Sequence, residues 1–139
     1  MGRINVGRVI IGGLVAGLVI NISETILNLV VVAQAMDDAF RARNLPPLGL
    51  NPIIGFVVFS FAVGIVTIWL YAAIRPRFGP EPKTGAIAGL VVWFFAYLYG
   101  AVAMGMMGLF PMKLMAITTI WGLPEIVIAA VAGASLYKE

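Results

Sequence analysis

The sequence predicts an all-α fold, an integral membrane four-helix antiparallel bundle with both termini on the cytoplasmic side. Three observations predict it: the composition is 62% hydrophobic and 11% charged, four long apolar stretches are present, and basic residues are distributed unevenly between the connecting segments. Soluble domains are nearer half apolar and a quarter charged, so this composition indicates lipid as the surrounding solvent. We expect residues 1–139 to form a single domain.

The four apolar stretches are long enough to cross a bilayer, whose hydrocarbon core of about 30 Å needs roughly 20 helical residues. Each stretch is predicted to be a helix, because irregular backbone exposed to lipid would leave its polar groups without hydrogen bonds. The predicted helices are residues 9–35, 52–74, 85–110 and 114–137. The first does not resemble a signal peptide, since it is far longer than that type of apolar region and contains Glu24.

Prolines mark the connections between the predicted helices. Residues 36–50 are predicted as a loop with a short amphipathic helix over 37–43. Asn51 is predicted to cap the second helix and Pro52 to occupy its first turn. A short turn at residues 110–113 makes the last two helices an antiparallel pair.

The basic residues predict the orientation. The proline-rich segment 75–83 is predicted as a loop, since its prolines cannot continue a helix. Basic residues are in excess on the cytoplasmic side of membrane proteins, and we therefore expect both termini inside. The larger set, on the side of both termini, is Arg3, Arg8, Arg75, Arg77, Lys83 and Lys138, and the opposite set is Arg41, Arg43 and Lys113.

Two residue types are missing from the sequence, which contains neither cysteine nor histidine. Their absence removes thiolate chemistry, the usual ligand of haem, the commonest ligand of zinc, and the usual general base near neutral pH. The net charge of +3 is small and is explained by membrane topology. We therefore expect no cofactor, no bound metal, no catalytic residue of these types and no nucleic-acid partner.

Small and polar residues recur at helical spacing on the first and last predicted helices. Glycines allow a neighbouring backbone to approach closely, and polar groups in a membrane need partners inside the protein. We expect these two faces to meet, directly or across a narrow cavity. They consist of Gly13, Gly17, Asn21, Glu24, Thr25 and Asn28 on the first helix and of Thr118, Gly122, Glu125, Ala129 and Gly133 on the last.

Two of these residues are acids at membrane depth. Glu24 lies 13 residues from Asp37, about 20 Å along a helix, and Glu125 lies 12 residues from Lys113, about 18 Å. An ionised acid near the bilayer centre costs roughly 2.5–3.5 kcal/mol, and no basic residue is available at that depth. We expect neutral or proton-sharing carboxyls, hydrogen-bonded by Asn21 and Asn28.

Pro124 precedes the second acid. It removes a backbone donor and is expected to leave the carbonyl of Ile120 unpaired beside Glu125, and such broken helices coordinate ions in transporters. The alternative is that these polar residues only hold helices together. The candidate proton- or cation-binding residues are Glu24, Glu125, Asn21, Asn28, Thr118 and Pro124.

Membrane lipids are the expected partners, together with further copies of the chain or a larger membrane complex. Arg75, Arg77 and Lys83 are candidates for binding anionic lipid headgroups, although setting the topology explains them equally well. The aromatic segment 93–97 either lines a groove for a lipid-like ligand or packs between helices.

The segments 16–31, 70–100 and 121–139 carry a family resemblance. They read AGLVINISETILNLVV, LYAAIRPRFGPEPKTGAIAGLVVWFFAYLYG and WGLPEIVIAAVAGASLYKE. They resemble a group of small four-helix bacterial membrane proteins of unassigned activity, over nearly the whole chain. The resemblance implies the four-pass fold and location in the bacterial cytoplasmic (inner) membrane.

Three functional hypotheses follow. The first is a proton- or cation-coupled transport or conduction unit that uses the mid-membrane carboxyls, as an oligomer. The second is an accessory or structural subunit of a larger membrane complex. The third is a membrane enzyme acting on a lipid-like substrate, in which the carboxyl pair would serve as acid and base.

Overall fold

The computed structural model describes residues 3–139 and is helical in all its long segments. In chain order the elements are α1 (Val6–Ile26), π1 (Leu27–Val31), α2 (Ala33–Ala42), α3 (Leu50–Phe78), α4 (Pro82–Trp93), π2 (Phe94–Leu98), α5 (Tyr99–Met106) and α6 (Met112–Ser135).

Four helical stretches are long and apolar enough to cross a membrane. We call them spans 1 to 4: Val6–Val31, Leu50–Phe78, Pro82–Met106 and Met112–Ser135. Their outward sides are covered with exposed aliphatic and aromatic side chains, which is what contact with acyl chains requires. The prediction of an all-α bundle with four membrane-length helices is confirmed, and the chain is a multi-pass membrane protein by helix length and hydropathy.

The spans form a ring in which each one packs against its neighbours in sequence and span 1 packs against span 4. Spans 2 and 4 also touch across the bundle, whereas spans 1 and 3 are diagonally opposite. The backbone N–H of Asn5 donates to the Tyr137 hydroxyl at 3.2 Å, and Arg75 forms a 2.8 Å ion pair with Glu139. These contacts place the two ends of the chain on one face of the bundle, the termini face.

Glycines bring span 1 close to two neighbours. A methyl group added to Gly64 of span 2 would meet backbone atoms of Gly13 and Gly17. A methyl group added to Gly12 would lie 2.5 Å from the carbonyl oxygen of Gly133 in span 4. Close backbone approach through small residues is a standard way of packing helices in lipid. It fixes the position of span 1 between spans 2 and 4.

The face opposite the termini, the far face, is closed by the amphipathic helix α2. Its buried Ala39 packs with Leu27, Val32 and Leu114 in a small apolar cluster. Arg43, just after the helix, donates to the carbonyl of Leu109 and lies over the Phe110 ring, 5.2 Å from its centroid. The helix predicted at 37–43 therefore begins earlier, at Ala33, and fastens the first loop to the start of span 4.

One end of span 1 and both ends of span 2 differ from the sequence prediction. Span 1 stops at Val31 rather than residue 35, because Val32 leaves the helical region (φ −114°, ψ 5°) and α2 turns away. Span 2 begins after Gly49, with Asn51 already inside its first turn, and it continues through Pro76 to Phe78.

Pro76 is tolerated because it lies in the final turns of the helix, where one lost donor costs little. The chain then reverses at Gly79, whose φ of 90° favours glycine. The predicted loop at 75–83 is thereby shortened.

The glycine contact between spans 1 and 2 generates a matched prediction. Gly64→Ala should lower the free energy of unfolding by about 1–3 kcal/mol, because the added methyl group forces two backbones apart. Gly55→Ala, in the same helix but with open space around the site, should be neutral or raise stability by roughly 0.5–1 kcal/mol. Denaturant unfolding of both variants in detergent measures the difference, and equal effects would contradict this packing.

Candidate functional site

The side chains of Glu24 in span 1 and Glu125 in span 4 meet inside the bundle, carboxyl against carboxyl. The two spans run in opposite directions, and helical side chains tilt toward the N-terminus of their own helix. Glu24 therefore leans toward the termini face and Glu125 toward the far face, so the carboxyls converge. Glu125 is only 4% exposed, whereas Glu24 is half-buried.

Glu125 has one hydrogen-bonded oxygen and one without a partner. Its Oε1 accepts a 2.7 Å hydrogen bond from the Tyr97 hydroxyl of span 3, and its buried Oε2 forms no hydrogen bond of normal length among the described residues, although the Ser23 hydroxyl lies near this carboxyl. Gly122 makes room for this arrangement, since a methyl group there would collide with the Tyr97 ring. A buried acceptor without a donor is costly, and a proton held between the two carboxyls would supply one.

Glu24 is held from its own helix. The side-chain amide of Asn28 donates to Oε2 of Glu24 at 3.0 Å and to the backbone carbonyl of the same residue at 2.8 Å. Asn28 thus lies against Glu24, the acid with which the sequence analysis grouped it. Among the described residues, no side chain or backbone donor is hydrogen-bonded to Oε1 of Glu24.

Both π-helical turns adjoin this pair. π1 begins at Leu27, one turn after Glu24, and Val32 N–H bonds to Leu27 O at 2.9 Å. π2 contains Tyr97, and its irregular register lets that side chain reach Glu125 from span 3. A π turn inserts an extra residue into a helix, and such turns are frequent at functional sites. Their position at the same level as the carboxyls makes this the most irregular part of the bundle.

Two tryptophans brace the helices that carry the acids. Trp121 Nε1 donates to the Ser23 hydroxyl at 2.9 Å, which links span 4 to the residue beside Glu24. Trp93 Nε1 donates to the carbonyl of Thr119 at 2.9 Å, which links span 3 to span 4. Each bond satisfies an indole N–H that would otherwise lack a partner in the apolar interior. Together they fix the three helices around the site.

An open cleft of about 260 Å³ lies beside the pair, between spans 1, 3 and 4. We call it the Glu24 cleft, because Glu24 is the acid that lines it. The small side chains of span 3 leave this space unfilled, while Gly105 lies against Met112 where the far ends of spans 3 and 4 meet. The other lining residues are Ala96, Tyr97, Gly100, Ala101, Met104, Met115, Thr118 and Thr119.

The structure brings only part of the predicted set together. Asn28 bonds to Glu24 and Thr118 lines the cleft. Asn21 faces span 2 instead, where its amide donates to the carbonyl of Val57 at 3.3 Å. Pro124 is exposed on the outer side of span 4 while Glu125 points inward, because adjacent helical residues lie about 100° apart. The proline ring therefore lies on a different side of span 4 from the Glu125 side chain.

The glycine face of span 1 also divides between two neighbours. Gly13 and Gly17 pack on span 2, and Gly12, which the predicted face did not include, packs on Gly133 of span 4. The depth of Glu24 shifts as well, since span 1 ends at Val31. Glu24 lies seven residues before that end, or about 10 Å. The site is thus nearer the far face than counting from Asp37 indicated.

The sequence analysis did not place Ser23 and Trp121 at the site, and it considered Trp93 and Tyr97 only as groove lining or as packing between helices. A phenol or indole group at membrane depth needs a hydrogen-bond partner, and that requirement was a usable signal for Tyr97. The partner itself depends on the π turn, which no pattern in the sequence marks. Among residues 3–139, no group of three metal-ligating side chains is found.

The basic residues at the termini face are not equivalent. Arg75 forms the ion pair with Glu139 and lies over the Tyr137 ring, 5.5 Å from its centroid. The Arg75 guanidinium therefore already has its partners within the protein. Arg77 and Lys83 are exposed and remain candidates for contact with anionic headgroups.

The site and fold together define a small four-span membrane protein with a carboxyl pair in its interior. No family model matches the sequence, and no match is found among curated proteins or solved structures. Functional conclusions about this chain therefore rest on its own residues.

The hydrogen bond from Tyr97 to Glu125 generates a matched prediction. Tyr97→Phe should lower the free energy of unfolding by about 1–2 kcal/mol. That range lies between the roughly 0.6 kcal/mol average for hydrogen bonds in membrane bundles and the larger cost of an unsatisfied buried acceptor. Tyr99→Phe, the same change at a residue that is 71% exposed, should leave stability unchanged. Thermal unfolding in detergent compares them, and similar losses in both variants would count against the bond.

Proposed function

We propose that this chain is a proton-coupled transport unit in which Glu24 and Glu125 share a proton that is exchanged for a cation. One observation carries the proposal: two carboxyls from the first and last spans touch inside the bundle, and one of them also lines an open cleft. A role restricted to holding helices together does not require a cleft at the acid.

Charge explains why a proton is held at this place. Two adjacent carboxylates in an apolar interior repel each other, and each alone is costly to desolvate. Among the described residues, none of the groups that touch the pair is basic; its contacts are Tyr97, Asn28 and Ser23. One shared proton removes half of the negative charge and provides a donor for Oε2 of Glu125.

The cleft explains how the proton is exchanged. A cation that enters the cleft reaches Glu24 and replaces the proton as the counter-charge of the pair. Because proton and cation compete for the same carboxyls, binding of one weakens binding of the other by the same free energy. This reciprocal coupling is the requirement for driving one ion by the gradient of another.

Flux measurements test the proposal. Purified protein is placed in liposomes that contain a pH-sensitive dye, and a proton gradient is imposed across their membrane. The protein should dissipate this gradient when a cation that it exchanges for protons is present on the side opposite the higher proton concentration. Glu24→Gln and Glu125→Gln should each reduce this flux to that of empty liposomes, because the amide cannot exchange a proton at neutral pH. Glu81→Gln, the same change at an exposed loop residue, should retain wild-type flux.

Wild-type flux in both interior variants would remove the proposal. Absence of flux in the wild type together with copurification of a stoichiometric protein partner would favour the role of an accessory subunit.

We further propose that the termini face is cytoplasmic, on the basis of its excess of basic residues. The chain contains no cysteine, so single-cysteine variants report topology directly. In intact bacterial cells, a membrane-impermeant maleimide should label Lys113→Cys and should label Lys83→Cys only after the membrane is opened. Both lysines are exposed. The reverse labelling pattern would contradict this orientation.

A further inference from the structure

The hydrogen-bonding groups of the Glu24 cleft are almost all acceptors. The hydroxyl protons of Thr118 and Thr119 are both donated to the backbone carbonyl of Met115, at 3.0 Å and 2.7 Å. The hydroxyl proton of Tyr97 is donated to Glu125. These three oxygens and the carboxyl of Glu24 can therefore only accept from a ligand, and no basic side chain lines the cleft.

These acceptor groups favour a positively charged ligand. An anion would meet a carboxyl without any donor to satisfy it. An inorganic cation such as Mg²⁺ or Ca²⁺ needs six or more oxygen ligands, and the side chains of the cleft provide the Glu24 carboxyl and three hydroxyl oxygens. The rest of its wall consists of alanine, glycine and methionine side chains with the Tyr97 ring. A ligand that fits this cleft therefore needs hydrogen-bond donors for the oxygens and an apolar surface for the rest of the wall.

We propose that the Glu24 cleft binds a small organic ammonium ion, a protonated amine with an apolar body, which identifies the cation of the transport function proposed above and so rests on it. The ammonium N–H groups donate to Glu24 and to the threonine oxygens. The apolar body lies against Ala96, Ala101 and the methionines, and the face of the Tyr97 ring attracts the positive charge.

The dimensions of the cleft limit the ligand. Pockets for drug-sized molecules enclose roughly 300–1,000 Å³, so a cleft of about 260 Å³ accommodates a smaller molecule. Its wall includes Met104, which is 45% exposed on the outward side of span 3. An amine with an apolar body that partitions into the bilayer therefore reaches the cleft from the side.

Glu125 provides the second, independent observation. It is 4% exposed, its carboxyl adjoins that of Glu24 without lining the cleft, and its Oε2 has no hydrogen bond of normal length among the described residues. When the ammonium takes Glu24 as its partner, the proton shared by the pair leaves. One positive charge enters as one proton departs, so the charge of the buried site stays constant.

Calorimetric titration of the full chain in detergent tests this proposal with three probes that share a phenyl group. We expect 2-phenylethylammonium to bind, and 2-phenylethanol and phenylacetate to bind at least about tenfold more weakly, since a hydrogen bond to a charged group contributes roughly 1.5–3 kcal/mol. Repeating the titration in buffers of different ionisation enthalpy should show about one proton released per ammonium bound. Comparable affinity for the ammonium and the alcohol would overturn the proposal.

Variants locate the binding site. Glu24→Gln should weaken ammonium binding about tenfold or more, and Thr118→Val should weaken it less, because an uncharged acceptor is lost. Glu81→Gln, outside the cleft, should bind as the wild type does. Unchanged affinity in Glu24→Gln would overturn the assignment, and the three-probe comparison on the unmodified protein decides the charge preference even if a variant fails to fold.

The two proposals fail in different ways. Ammonium binding that depends on Glu24, without proton flux in liposomes, refutes transport and supports the ligand class. Proton flux that depends on both acids, without preferential ammonium binding, supports transport and refutes the ligand class.

Discussion

The contact between Glu24 and Glu125 is the constraint on which the rest of the structure depends. It joins the first span to the last at membrane depth, where an ionised acid is costly and water is scarce. Tyr97, Asn28 and Ser23 are arranged around it, each from a helix that packing has already fixed. If Glu125 faced lipid instead, the Tyr97 hydroxyl would lose its acceptor, and if Glu24 did, the cleft would lose its charged group.

The bundle combines close packing near one end with open packing near the other. Glycines on spans 1, 2 and 4 bring backbones into contact on the side of the termini, and this contact provides a rigid support. Toward the far face the π turns interrupt the regular helices, and the Glu24 cleft opens between spans 1, 3 and 4. The interior acids lie where the rigid part ends, so their positions are fixed while space for a ligand remains beside them. Rigid support next to an open pocket is a general property of binding sites.

The sequence predicted the helices because hydropathy over twenty residues is a strong signal, and it predicted both acids because charge at that depth is rare. The sequence could not predict which side chains contact each other between different helices. Asn21 was expected at the acids and contacts Val57 of span 2, and Pro124 was expected beside Glu125 and faces outward. The direction in which a side chain points depends on how its helix is rotated and on where a π turn interrupts it. The spacing of residues along one helix does not reveal the π turns. The hydrogen bond from Tyr97 to Glu125 was not predicted for the same reason, since its two residues lie on different spans.

The most direct test of the account is whether positions 24 and 125 are adjacent in the native membrane. The chain has no cysteine, so the double variant Glu24→Cys/Glu125→Cys can be treated with a short bifunctional thiol reagent that becomes fluorescent only when it bridges two cysteines. We predict a bridged, fluorescent monomer for this pair. We predict none for Thr25→Cys/Glu125→Cys, because Thr25 is exposed on another side of span 1. Bridging of the Thr25 pair with none for the Glu24 pair would contradict the account.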